Sequence, residues 1–115
     1  MNKAFERIAL IEGMVAAAFV SEEGRLLGWC ANSVISPDNL CFIAVTCRGL
    51  LSANRAEQRP AEIGVVAFGS RTLVFRDGAT GLFMAYLNSP TNDAVLKWLF
   101  EQVDPLLEAE GVRLE

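Results

Sequence analysis

The chain contains no histidine at all. That removes the commonest general base, every Ser-His-Asp or Cys-His nucleophile system, and the commonest metal ligand. No Gly-x-x-x-x-Gly-Lys-Ser/Thr run occurs, so nucleotide binding through a P-loop is excluded. Gly64, Gly69, Gly78 and Gly81 are too far apart and too turn-like to cradle a phosphate. Basic residues are in the minority, ten Lys and Arg against fourteen Asp and Glu for a formal net charge of -4. They form no run, which argues against a nucleic-acid backbone as ligand. Cysteine is scarce, with Cys30, Cys41 and Cys47 the only three. An odd count without a C-x-x-C pair speaks against a disulfide framework or a zinc site, and predicts buried free thiols in a reducing compartment. No apolar run approaches the ~20 residues of a membrane helix, so no membrane insertion is expected. Met1 to Arg7 is too charged to open a secretory signal, and cytoplasmic localisation is the expectation.

What is present is an ordinary globular composition in 115 residues, the length of a single domain spanning 1–115. About half of the residues, 52%, are hydrophobic. A small domain has a large surface fraction, so part of this apolar content is expected to face a partner.

Residues 3–12 carry Phe5, Ile8, Ala9 and Glu12 at helical spacing and predict a short helix ended by Gly13. Residues 14–20 form a continuous apolar run, as in a strand buried on both faces. The turn Ser21-Glu22-Glu23-Gly24 returns the chain into a second strand, 25–31, completing a hairpin. After a loop at 32–36, Ser36 caps and Pro37 opens a long helix, with Asp38 at its positive dipole end. That helix is expected to run to Ala56 or Glu57, before Arg59-Pro60. Three strands follow: Glu62 to Phe68, Arg71 to Arg76 across a Gly69-Ser70 turn, and Leu82 to Leu87 after Asp77-Gly78. On the second of these, Leu73 and Phe75 alternate with Thr72, Val74 and Arg76. Ser89-Pro90-Thr91-Asn92-Asp93 repeats the cap-then-proline logic and opens a last helix, in which Pro105 predicts a kink or break. The fold class is α+β, ordered α-β-β-α-β-β-β-α, with a five-stranded antiparallel sheet between helices.

The central helix, 38–57, is the most informative element. Leu40, Ile43, Ala44, Cys47, Leu50 and Leu51 make one core stripe, yet the opposite side carries Cys41, Phe42, Val45, Thr46, Gly49, Ser52 and Ala53 in place of charges. A helix apolar on two sides must be covered on two sides. Gly49 in mid-helix costs roughly 1 kcal/mol against Ala, which implies a packing reason such as close backbone approach. We therefore expect an isologous dimer contact through Cys41, Phe42, Val45, Gly49, Ser52 and Ala53. Other candidates have plainer readings. Glu22-Glu23 is a solvated turn and Asp104, Glu108 and Glu110 are surface charges. Trp29 is expected to be covered by core or helix, and Trp98 to be partly buried against the sheet or in contact with a partner.

The run Ile11-Glu12-Gly13 through Met14–Val20, Ser21-Glu22-Glu23-Gly24 and Arg25-Leu26-Leu27-Gly28 resembles the Roadblock/dynein-light-chain family, including its bacterial MglB-like members. So do Gly64 to Phe75 with its Gly-centred turn, and Asp77-Gly78 through Leu82-Phe83-Met84-Ala85-Tyr86-Leu87 to Asn88-Ser89-Pro90. The resemblance covers nearly the whole chain and implies a homodimer in which central helices pair and third strands extend the sheet, which places Val65 in the interface. It also implies a surface for a Ras-like small GTPase or a motor or signalling complex, without a cofactor, a metal or a catalytic residue of its own. The chain departs from the family in its short first helix and in a last helix that reads as broken. Longin, profilin-like and PAS-like domains share similar meanders. A PAS/GAF/longin-like small-molecule sensor or trafficking module is thus the second reading, ranked lower because the inward strands carry large residues and no obvious polar anchor. An enzyme is the third, disfavoured by the missing nucleophile–base pair.

Overall fold

Five strands form one antiparallel sheet in the order β2-β1-β5-β4-β3. The structure is a computed structural model that describes residues 2–32, 39, 42, 43, 46, 63–77 and 81–111. The strands are β1 Met14–Ser21, β2 Leu26–Ala31, β3 Ile63–Phe68, β4 Arg71–Asp77 and β5 Gly81–Leu87. The doubly apolar run of residues 14–20 becomes β1, flanked by β2 and β5 and buried along its whole length. Gly24 takes a φ of 84° in the predicted turn between β1 and β2, which glycine adopts without the penalty a Cβ would bring.

Register sorts the side chains into rows across the sheet. On the first face one row runs Cys30, Ala17, Ala85, Val74, Val65, and the next runs Gly28, Phe19, Phe83, Arg76, Ile63. On the second face the rows are Ala31, Ala16, Tyr86, Leu73, Val66 and Trp29, Ala18, Met84, Phe75, Gly64. The split of β4 into Leu73/Phe75 and Val74/Arg76 is thus the one its alternation predicts.

The first face carries the N- and C-terminal helices. Phe5 and Ile8 of the N-terminal helix, Asn2–Ile8, and Leu99, Phe100, Val103 and Leu107 of the C-terminal helix, Asp93–Glu108, pack on Phe19, Val74 and Phe83. The N-terminal helix is shorter than the predicted 3–12. Beyond it the chain closes in tighter turns, Leu10 N–H donating to the Arg7 carbonyl at 3.0 Å and Ile11 N–H to that of Ile8 at 3.1 Å. Asn32 fastens this turn to the sheet, its side-chain amide donating to the Ala9 carbonyl at 2.9 Å and the Met14 carbonyl at 3.0 Å.

Two expectations about the C-terminal helix are corrected. Its cap is Asn92, whose side-chain oxygen accepts from Val95 N–H at 3.0 Å. Ser89-Pro90 lies before the cap, because the buried Thr72 hydroxyl donates to the Ser89 carbonyl at 2.9 Å and ties that segment to β4. Nor does Pro105 break the helix, which runs unbroken from Asp93 to Glu108. The carbonyl that Pro105 cannot serve belongs to Glu101, and both residues are exposed, so water can satisfy it. Val103 and Leu107, fully buried on either side, hold the helix to the sheet.

The second face is lined by Ala16, Ala18, Val20, Leu73, Phe75, Leu82 and Met84, with Ile43 packed against them. Asn39, Phe42, Ile43 and Thr46 are helical, as the reading of 38–57 requires. The rest of that helix, its Ser36-Pro37 start, its Arg59-Pro60 end and the turn at 78–80 lie outside the described residues.

Candidate interaction surface

β3 is an edge strand, and its sequence, Ile-Gly-Val-Val-Ala-Phe, is apolar throughout. It joins β4 through a two-residue turn, so Phe68 and Arg71 form a hydrogen-bonded pair and alternate residues along β3 face β4. The backbone groups of Ile63, Val65 and Ala67 therefore point away from the sheet. The same residues sit on the first face, where Ile63 borders a groove with the C-terminal helix, and Ile63 is 40% and Val65 45% exposed. The strand itself holds no charge, proline or bulge, and its register with β4 is uninterrupted. A regular, apolar edge strand is a template for another strand.

The opposite edge differs. β2 carries a register shift opposite Phe19/Val20, and the N-terminal helix packs against it. A bulge is an ordinary means of blunting an edge.

On the central helix, Ile43 faces the sheet while Phe42 is 74% exposed and Thr46 is exposed beside it. The Thr46 hydroxyl donates to the Phe42 carbonyl at 3.0 Å, which uses up its polarity within the helix. Both stand on the side away from the core, where the two-faced pattern puts them. Cys41, Val45, Gly49, Ser52 and Ala53 lie outside the described residues. Val65 does not join Phe42 in one patch. Its side chain lies on the face of the terminal helices, whereas Phe42 belongs to the other face.

Two tryptophan expectations change. Trp29 lies on the second face of the edge strand β2 and is 43% exposed, so it is not a fully covered residue. Trp98 turns toward Leu10, Ile11 and Gln102 in a shallow groove rather than toward the sheet. Sequence reasoning missed Arg76, a largely buried cation. Its guanidinium stacks over the Phe100 ring at 5.1 Å and lies 3.5 Å from the Asp104 carboxylate, so Asp104 is more than a surface charge. The position of Arg76 on the inward face of β4, opposite Phe83, was the available signal.

Cys30 is only half-buried, yet burial pushes its thiol up from 9.0 to about 11, a hydrogen bond from the Ala17 backbone opposing the rise. It is a protonated, poorly nucleophilic thiol at neutral pH. Among the described residues no group of three or more Cys, Asp or Glu side chains is placed to hold a metal ion. No helix among them is long and apolar enough to cross a membrane.

No protein-family model matches the chain, and no curated protein matches it significantly by sequence. Solved structures do. MglB of Myxococcus xanthus aligns over 95% of this chain and 85% of its own, at 11% identity and a TM-score of 0.75. A Roadblock/LC7 domain from Streptomyces avermitilis aligns over 95% of this chain and 92% of its own, at 18% identity and a TM-score of 0.71. A structure described as MglB with a tetrameric arrangement covers 93% of this chain and 87% of its own, at 15% identity and a TM-score of 0.67. The chain has a Roadblock-like fold.

Proposed function

We propose that this chain is a homodimeric, non-catalytic adaptor that binds a Ras-like small GTPase in the cytoplasm and modulates or localises it. The observation that carries the dimer is the β3 edge: an apolar strand on which Ile63, Val65 and Ala67 turn their backbone groups outward, with no charge in the strand itself. Pairing two such edges about a two-fold axis satisfies the backbone of both and covers part of Val65. The exposed Phe42 offers a second contact on the central-helix side, and the helical pattern of the sequence extends that side to Cys41, Val45, Gly49, Ser52 and Ala53. The likeness to a tetrameric MglB supports self-association, and the Roadblock-like fold supports the GTPase.

The absence of histidine supports a role through contacts rather than chemistry. Two measurements test the reading separately. Sedimentation equilibrium of the purified chain should give a dimer. Titration against the Ras-like GTPases of the source organism, each loaded with GDP or a non-hydrolysable GTP analogue, should give nucleotide-dependent binding to at least one. A dimer that engages none of them in either state sinks the GTPase assignment while leaving the interface intact.

A further inference from the structure

We propose that the groove between β3 and the C-terminal helix docks a basic amphipathic helix of a partner protein, one whose apolar stripe is flanked by Lys or Arg. The groove measures about 650 Å³. Its floor is apolar, formed by the half-exposed Ile63 with Leu96 and the Phe100 ring. Its helix wall is acidic. Asp93, Glu101 and Glu108 are exposed there, and steps of three and four residues set them along one side of the helix. Among the described lining residues four carboxylates meet two cations. One of those cations, Arg76, is largely buried and held 3.5 Å from the Asp104 carboxylate, so Lys97 alone opposes the other three acids. Asp93 sits in the first helical turn, where the helix dipole already balances it in part. Glu101 and Glu108 are the anions with most to gain from a partner.

Charge and spacing select the occupant. The Phe100 ring lies 6.2 Å from that of Phe83 on β5 and 5.1 Å from the Arg76 guanidinium of β4, which places the C-terminal helix above these two strands. Helices pack about 8–10 Å apart and strands about 4.8 Å apart, so a helix laid beside this one would lie over the outer side of β3. Its apolar stripe would then rest on Ile63 and Val65, and its cations would meet Glu101 and Glu108. An extended segment would instead pair with the outward backbone of β3 and make no use of the acidic wall. In the β3-to-β3 dimer proposed above, the same position falls on the two-fold axis, midway between two C-terminal helices roughly 20 Å apart. One docked helix would then serve two chains. That ratio rests on the dimer, whereas the groove belongs to the single chain.

The probe is a synthetic peptide of 16 residues, the length of the C-terminal helix, with Leu at helical spacing and Lys between. A second peptide has Glu in place of Lys. Methyl-labelled isoleucine reports the place of binding: Ile63 borders the groove, Ile8 is buried on the same face and Ile43 packs on the other. The Lys peptide should move the Ile63 methyl resonance saturably, with a dissociation constant of about 100 µM or tighter, and leave Ile8 and Ile43 in place. Glu101→Lys with Glu108→Lys should weaken it at least tenfold. Glu22→Lys with Glu23→Lys makes the same change of net charge in the turn beyond the opposite edge, and should alter binding less than about twofold. A silent Ile63, an equal response of Ile43, equal binding of the Glu peptide, or undiminished binding by the folded Glu101/Glu108 variant would each overturn the proposal. Should that variant fail to fold, the contrast between the two peptides at Ile63 decides. One peptide per two chains supports the groove and the dimer together. One peptide per chain, bound to a monomer, upholds the groove and refutes the dimer.

Discussion

Replacing Val65 by Arg tests the β3 edge where it is most exposed. In the single chain the side chain is already 45% open to water and stands at the sheet's border, so the substitution should cost the folded subunit no more than about 0.5 kcal/mol. The cost to association is larger. Burying a valine completely is worth about 1.5–3 kcal/mol, and nearly half of this one remains to be covered, roughly 1 kcal/mol per subunit. A two-fold contact counts the loss twice. Two guanidinium groups brought within about 5–8 Å across paired strands add a further 1 kcal/mol or so of repulsion. The total of about 3 kcal/mol corresponds to a dimer loosened roughly a hundredfold. Sedimentation velocity over a concentration series reads that shift directly, and thermal melts of the same samples report whether the subunit stays folded. The reasoning fails if the Arg variant associates as tightly as the parent, or if the parent is monomeric at every concentration.

Asn92→Ala should lower stability by about 1 kcal/mol through loss of the cap on Val95 N–H, measured by urea denaturation, whereas Ser89→Ala should be near neutral because only the Ser89 carbonyl is used. Gly64→Val should destabilise by about 1–3 kcal/mol, since a Cβ there meets the Phe75 ring; an unchanged melting temperature would contradict the packing of β3 on β4. The Cys30 thiol ionises less readily folded than unfolded, so the stability tied to it is complete below pH 9 and should be lost between pH 9.0 and about 11. Cys30→Ser should flatten that part of the pH profile of chemical denaturation.

The elements that announce themselves locally were legible. Met14 to Val20 reads as a doubly covered strand because both sets of alternate residues are apolar. Leu73 and Phe75 separate from Val74 and Arg76 because the sheet enforces a period of two. What was not legible depends on neighbours across the sheet. Ser89-Pro90 has the look of a helix start, but Thr72 of β4 holds the Ser89 carbonyl and delays the helix to Asn92. Pro105 looks like a breaker, yet the core contacts of Val103 and Leu107 outweigh one missing hydrogen bond. Of the residues expected at the interface, Phe42 and Val65 are both exposed, but on opposite faces of the sheet.

The unlike borders of the sheet set a limit on growth. Were both margins open, each new subunit would offer a fresh one to the next, and the product would be a fibre of indefinite length. With a bulge in β2 and none in β3, two copies joined β3 to β3, as proposed, would leave only the bulged margins outside. Such a ten-stranded sheet would be self-terminating.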